Sequence, residues 1–150
     1  MRFETAQVLE IAGVSKDTLR HWKKVLAPIS RIDGRSARYS LSELVSICVI
    51  ARATQELGVA ISQIAKSAEW LFAAAEDHLP VGQHERGIVY LLPDGSGLWS
   101  TNPLPNLDAA IAIRIAPILE RILFAPQQGT IDAKAQLILP FDASVGSSRS

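Results

Sequence analysis

The sequence predicts a mainly α-helical chain with a small β wing, a winged helix-turn-helix, followed by a small α+β region. Three observations carry that reading. Two short amphipathic segments meet at Ala12-Gly13-Val14. An arginine-rich stretch with β-prone flanks surrounds the turn signal Asp33-Gly34. Beyond Leu79, helical periodicity gives way to short β-prone runs punctuated by proline and glycine.

The elements follow in order. Thr5 is suited to cap a first helix to about Glu10, with Ala6, Val8 and Leu9 on its buried side. Gly13 allows a tight turn with positive φ. Ser15 caps a second helix ending near Val25, with Asp17 in the first turn where the helix dipole favours a negative charge. Residues 28–39 read as a two-stranded wing turning at Asp33-Gly34. Ser40-Leu41-Ser42-Glu43 is a capping box ahead of a strongly apolar helix that reaches about Leu57 and stops at Gly58. A further helix runs from Ile61 to about His78, with Ile64, Ala68, Leu71, Ala75 and Leu79 on one face.

The second half reads as α+β. Residues 87–92 and 98–101 are β-prone and flank the turn Pro93-Asp94-Gly95-Ser96-Gly97. Asn106 is placed to cap a helical stretch to about Ala125, kinked or split at Pro117. Residues 135–141 are a candidate strand and 144–150 a polar tail. The expected division is a reading domain over 1–79, an α+β effector or dimerisation domain over 83–142, and a disordered tail over 143–150. On a helical wheel Ile111, Ile115, Ile118 and Ile122 share an apolar side, with Ile113 and Phe124 nearly opposite. A helix apolar on most sides needs cover from two directions. The four isoleucines are therefore the candidate dimer interface.

Of the 150 residues, 48% are hydrophobic and 20% charged, a globular composition. No signal-peptide pattern or uncharged apolar run of spanning length stands out, so a cytoplasmic protein with no membrane partner is expected. Cys48 is the single cysteine, so no intrachain disulfide forms, and its apolar neighbours mark it as a core residue. The net charge is zero but unevenly spread. Residues 1–40 hold eight basic and four acidic side chains; the other 110 hold seven basic and eleven acidic. A basic end joined to an acidic body suits a nucleic-acid reader attached to a different domain.

The second helix sharpens that. Leu19 and Trp22 share a face and are expected to pack inward. Lys16, Arg20, Lys23 and Lys24 then lie elsewhere. A helix of this kind enters a major groove with its N-terminal residues at the base edges. Lys16, Asp17 and Arg20 are candidates for base contacts; Ser15, Lys23 and Lys24 are candidates for phosphates. Arg31, Arg35 and Arg38 crowd the wing with only Asp33 opposing them.

Thr18-Leu19-Arg20-His21-Trp22, the wing ending Arg38-Tyr39-Ser40, and Glu56-Leu57-Gly58-Val59 with Ile64 resemble the N-terminal domain of MerR-type regulators. The likeness covers about residues 4–75. It implies a homodimer on a pseudo-palindromic double-stranded DNA site, with Arg20 and His21 on the recognition helix and Arg38 and Tyr39 on the DNA backbone. Three features depart from the family. His21 replaces the first of two paired aromatics, Val25-Leu26-Ala27 replaces a Gly-Leu before the wing, and no heptad run follows residue 79 to form the usual coiled coil. The cysteines of metal-sensing members are also missing.

His78, His84 and Glu85 lack a recognised zinc spacing, and Asp94-Gly95-Ser96-Gly97 lacks the strand-to-helix setting of a phosphate loop. No nucleophile with a positioned base is visible. No enzyme activity and no cofactor are expected. The expected function is sequence-specific transcription regulation, with an effector or protein partner for the second half. The alternatives are a mobile-element architectural or recruiting factor, excisionase-like or a packaging adaptor, and a protein-interaction adaptor.

Overall fold

The structure, a computed structural model, describes residues 2–32, 38–79, 87–101 and 105–127, the side chains of 125–127 excepted. The turn at Asp33-Gly34, Arg35, His84, Glu85, the candidate strand 135–141 and the tail lie outside the described residues, as does most of the expected boundary at 79–82. The chain divides into two units, 1–119 and 120–150.

In the first unit, strand β1 (Arg2–Glu4) leads into helix α1 (Thr5–Ala12). The cap is Glu4, one residue earlier than the sequence suggested, and its N–H donates to Gln7 Oε1 at 2.8 Å. Gly13, at φ 73°, closes α1 and its N–H donates to the Leu9 carbonyl. A side chain there would be strained, which is why glycine makes this turn. Helix α2 (Lys16–Val25) starts on Ser15, whose Oγ accepts from the Thr18 N–H at 3.0 Å.

The wing differs from expectation on its first limb. Residues Ala27–Ser30 form a helical turn, α3, with Pro28 in its first turn, where no backbone N–H is required. Strand β2 (Arg38–Ser40) pairs antiparallel with β1, Phe3 opposite Tyr39, not with residues before Asp33.

Helix α4 (Leu41–Ala51) opens with the expected capping box. The Ser40 N–H donates to Glu43 Oε1 at 2.8 Å, and the Glu43 N–H donates to Ser40 Oγ at 3.1 Å. Every residue from Leu44 to Ala51 is buried, so α4 is the central rod of the core. It contacts α1, α5 and both strands β1 and β2. Each fully buried Leu, Ile or Val there contributes about 1.5–3 kcal/mol. The helix continues as a π-helical stretch, Arg52–Glu56. The Thr54 hydroxyl donates to the Ile50 carbonyl at 3.0 Å, and the Leu57 N–H reaches back to Arg52. Helix α5 (Ile61–His78) buries Ile64, Ser67, Ala68, Leu71, Ala74 and Ala75.

Beyond α5, strands β3 (Ile88–Leu91) and β4 (Gly97–Ser100) form the expected hairpin. Asp94 shapes its turn, accepting from the Ser96 N–H and hydroxyl at 2.9 and 2.6 Å. Those bonds hold the Asp94 carboxyl below the usual carboxylate range. The hairpin packs on α5. A Cβ on Gly97 would collide with the Trp70 ring, and Trp99 stacks on His78 with ring centroids 4.9 Å apart.

The helix expected over 106–125 is corrected. Residues Ile111–Arg114 are a strand, β5, antiparallel to β3, giving the sheet order β4-β3-β5. Ile111 is half-buried, Ala112 exposed, Ile113 buried and Arg114 exposed, the period of two of a strand. Helix α6 (Ala116–Gln127) begins only after it. Pro117 is its second residue, where the missing N–H costs no bond, so it starts a helix instead of kinking one. The wheel that joined Ile111 to Ile115, Ile118 and Ile122 therefore does not hold. Ile115, Ile118 and Ile122 are buried within a single chain, whereas Leu123 and Phe124 are exposed.

Candidate nucleic-acid interface

Helix α2 separates its faces cleanly. Leu19 and Trp22 are buried, at 3% and 4% exposure, as their i, i+3 spacing requires. Lys16, Asp17, Arg20, His21 and Lys24 are exposed, and Lys23 is half-buried. Thr18 is tied into the cap, where Ser15 Oγ donates to its Oγ1 at 3.0 Å. Ser15 is therefore occupied by capping from both directions, which limits its hydroxyl as a phosphate ligand.

The charges are not equivalent. Arg20 Nη1 donates to Asp17 Oδ1 at 2.9 Å, and both side chains are well exposed, 60% for Arg20. This exposed i, i+3 pair is worth little in stability. Its consequence is geometric: one nitrogen of the guanidinium is anchored and the remaining donors face outward. Lys16, Lys23 and Lys24 make no ion pair among the described residues.

The wing arginines are differently placed. Arg31 caps α3 and reaches Glu69 on α5 in a two-pronged pair, at 2.9 and 3.0 Å. The bonds raise the Arg31 pKa and lower that of Glu69. Arg38 lies 4.0 Å from Glu4. Arg31, Glu69 and Arg38 border a recess of about 640 Å³ that Arg2, Glu43 and Glu76 also line. Among the described residues that line it, three carboxylates balance three guanidinium groups, so this recess is no simple anion trap, whereas α2 carries three lysines without an ion pair among the described residues. Arg35 lies outside the described residues.

Tyr39 is corrected as a backbone-contacting residue. It has 0% exposure and pairs across the strands with Phe3, so it offers no surface to a phosphate. Its hydroxyl neighbours Thr5 but lacks a well-formed hydrogen bond, and burial pushes its pKa up. Strand alternation gave the signal: with Arg38 outward, Tyr39 must point inward. Glu69 was missed, because an ion pair 38 residues away in sequence leaves no local pattern.

Residues 3–69 match the family model described as MerR HTH family regulatory protein, a little under half of the chain. No curated protein and no solved structure matches. Among the described residues no helix is long and apolar enough to cross a membrane. The two short helices around Gly13 and the exposed basic face of α2 both lie inside the segment that is similar to the MerR HTH family regulatory proteins.

Proposed function

We propose that the chain is a sequence-specific regulator that acts as a homodimer on double-stranded DNA, with α2 as the recognition helix. The carrying observation is the outer face of α2. Lys16, Arg20 and Lys24 are exposed there with Asp17 as the single acid of the helix, while Leu19 and Trp22 hold its inner face in the core. Arg20, supported by Asp17, reads a base edge; Lys16 lies beside it; Lys23, Lys24 and His21 take phosphates. Arg38 and Arg31 add wing-side contacts, Arg31 after leaving Glu69.

In the proposed division of labour, residues 1–79 read DNA and residues 83–142 carry dimerisation or effector response. A dimer is supported by the resemblance and by the gain in avidity from two linked reading heads. Ile115, Ile118 and Ile122 are already covered in one chain, so exposed Leu123 and Phe124 are the apolar side chains of α6 available to a partner. The test is selection of bound duplexes from a random pool, followed by sizing of the complex. An inverted-repeat site holding two chains is expected. Enrichment of no sequence overturns specific reading, and a one-to-one complex overturns the dimer.

A further inference from the structure

A second cavity, of about 270 Å³, lies between the start of α5, the end of β3 with its turn, and the approach to β5. Ile64, Leu91, Leu92 and Ile111 supply apolar wall, and none of its lining side chains is charged. The volume is just below the range of about 300–1,000 Å³ usual for drug-sized ligands. The absence of cationic lining disfavours phosphorylated or carboxylated molecules, whose desolvation would go uncompensated.

One polar group stands out on this wall. Ser67 is 2% exposed, lines the cavity, and its hydroxyl makes no hydrogen bond among the described residues. Elsewhere the mid-helix hydroxyls of Ser46 and Thr54 donate to carbonyls four residues back, at 2.9 and 3.0 Å. Ser67 does not use that outlet. Tyr39 Oη is the one fully buried side-chain polar atom without a partner among the described residues, so the Ser67 hydroxyl is open to the cavity, and a ligand atom bonded to it would take the place of solvent. The other polar side chain, Gln63, is committed: its Nε2 donates to the Pro93 carbonyl at 3.0 Å, joining α5 to the β3–β4 turn across the rim.

We propose that this cavity binds a small, uncharged, mainly apolar molecule with one hydrogen-bonding group directed at Ser67 Oγ. Apolar wall supplies affinity, and the single hydroxyl fixes orientation. Ala109 and Ala110, exposed small residues at the mouth, leave the way in open. The site stands independently of the DNA-reading proposal, since none of its residues is on α2 or in the wing.

Indole is the probe, with indene as its counterpart lacking the N–H. Titrated into the full isotope-labelled chain, indole is expected to give saturable amide shifts centred on residues 63–67, 91–93 and 109–111. Indene is expected to bind about fivefold more weakly, the worth of one neutral hydrogen bond, and Ser67→Ala is expected to lose the same factor for indole. Ala110→Trp, at an exposed position that spares the fold, is expected to abolish saturation with an unchanged melting temperature. Shifts that never saturate or that scatter away from the cavity overturn the site. So does indole affinity unchanged in Ala110→Trp. Equal binding of indole and indene overturns the role of Ser67.

Discussion

Residues 15–25 and residues 106–127 both invite a helical reading, but only the first is one helix throughout. Helix α2 has a serine cap, an acid in its first turn, basic residues in its last, and two apolar side chains on one side. Cap, charge and period all point the same way. The later stretch offers period alone, and its isoleucines satisfy two periods at once. Ile111 and Ile113 fit a strand at i, i+2; Ile115, Ile118 and Ile122 fit a helix at i, i+3 and i+4. Proline decides between them, because Pro117 is far better placed at a helix start than four residues after Ile113 in a helix interior. Apolar periodicity says that a segment is buried, and punctuation says in what form.

The sharpest way to break the contrast is at its anchor. Trp22→Ala removes the largest side chain holding α2 inward and should cost about 3–5 kcal/mol in thermal or urea unfolding. A loss below about 1 kcal/mol would mean that α2 is not docked by this residue. Gly97→Leu drives a side chain into Trp70 and should cost about 1–3 kcal/mol by overpacking. Unchanged unfolding would show that the sheet does not lean on α5 as described. Arg20→Ala should leave the fold intact and weaken binding to the selected duplex by about 1–3 kcal/mol, with a much smaller loss on random DNA. Equal losses on both would demote Arg20 to a phosphate contact. Asp17→Ala should relax the preference at the base that Arg20 reads, with little loss of overall affinity.

The smallest effect concerns the Arg31–Glu69 pair, which is exposed and screened. The folded-state pKa of Glu69 lies below its ordinary value, so the pair's contribution is present at neutral pH and disappears as pH falls through the folded value. Glu69→Gln should flatten the acid limb of the stability profile slightly and, by freeing Arg31, strengthen DNA binding at neutral pH. Weaker DNA binding by this variant would overturn the view that Arg31 must leave Glu69.

The helix-turn-helix was legible because its signals are local. The Ser15 cap, the Gly13 turn, the Ser40–Glu43 box and the Leu19–Trp22 spacing each lie within a few residues. Contacts of long sequence separation were not legible. Strand β1 was invisible as three residues at the chain start whose partner is β2, and it is that pairing which turns Tyr39 into the core. The Arg31–Glu69 pair and the Gly97–Trp70 contact likewise join distant positions. The exposure of Lys16, Arg20 and Lys24 followed from the helical period, but the inequality of the charges did not: Arg20 is braced, Arg31 is held, and the lysines of α2 make no described ion pair.

The central claim is that α2 delivers this chain to DNA. Electrophoretic mobility shift across a series of salt concentrations tests it most directly. With about six phosphate contacts per dimer, log K should fall with log salt at a slope of about −5, and Lys24→Ala should make that slope shallower by about 1 to 2 because each chain loses a contact. Binding that does not respond to salt, or no binding at low salt, would contradict the account.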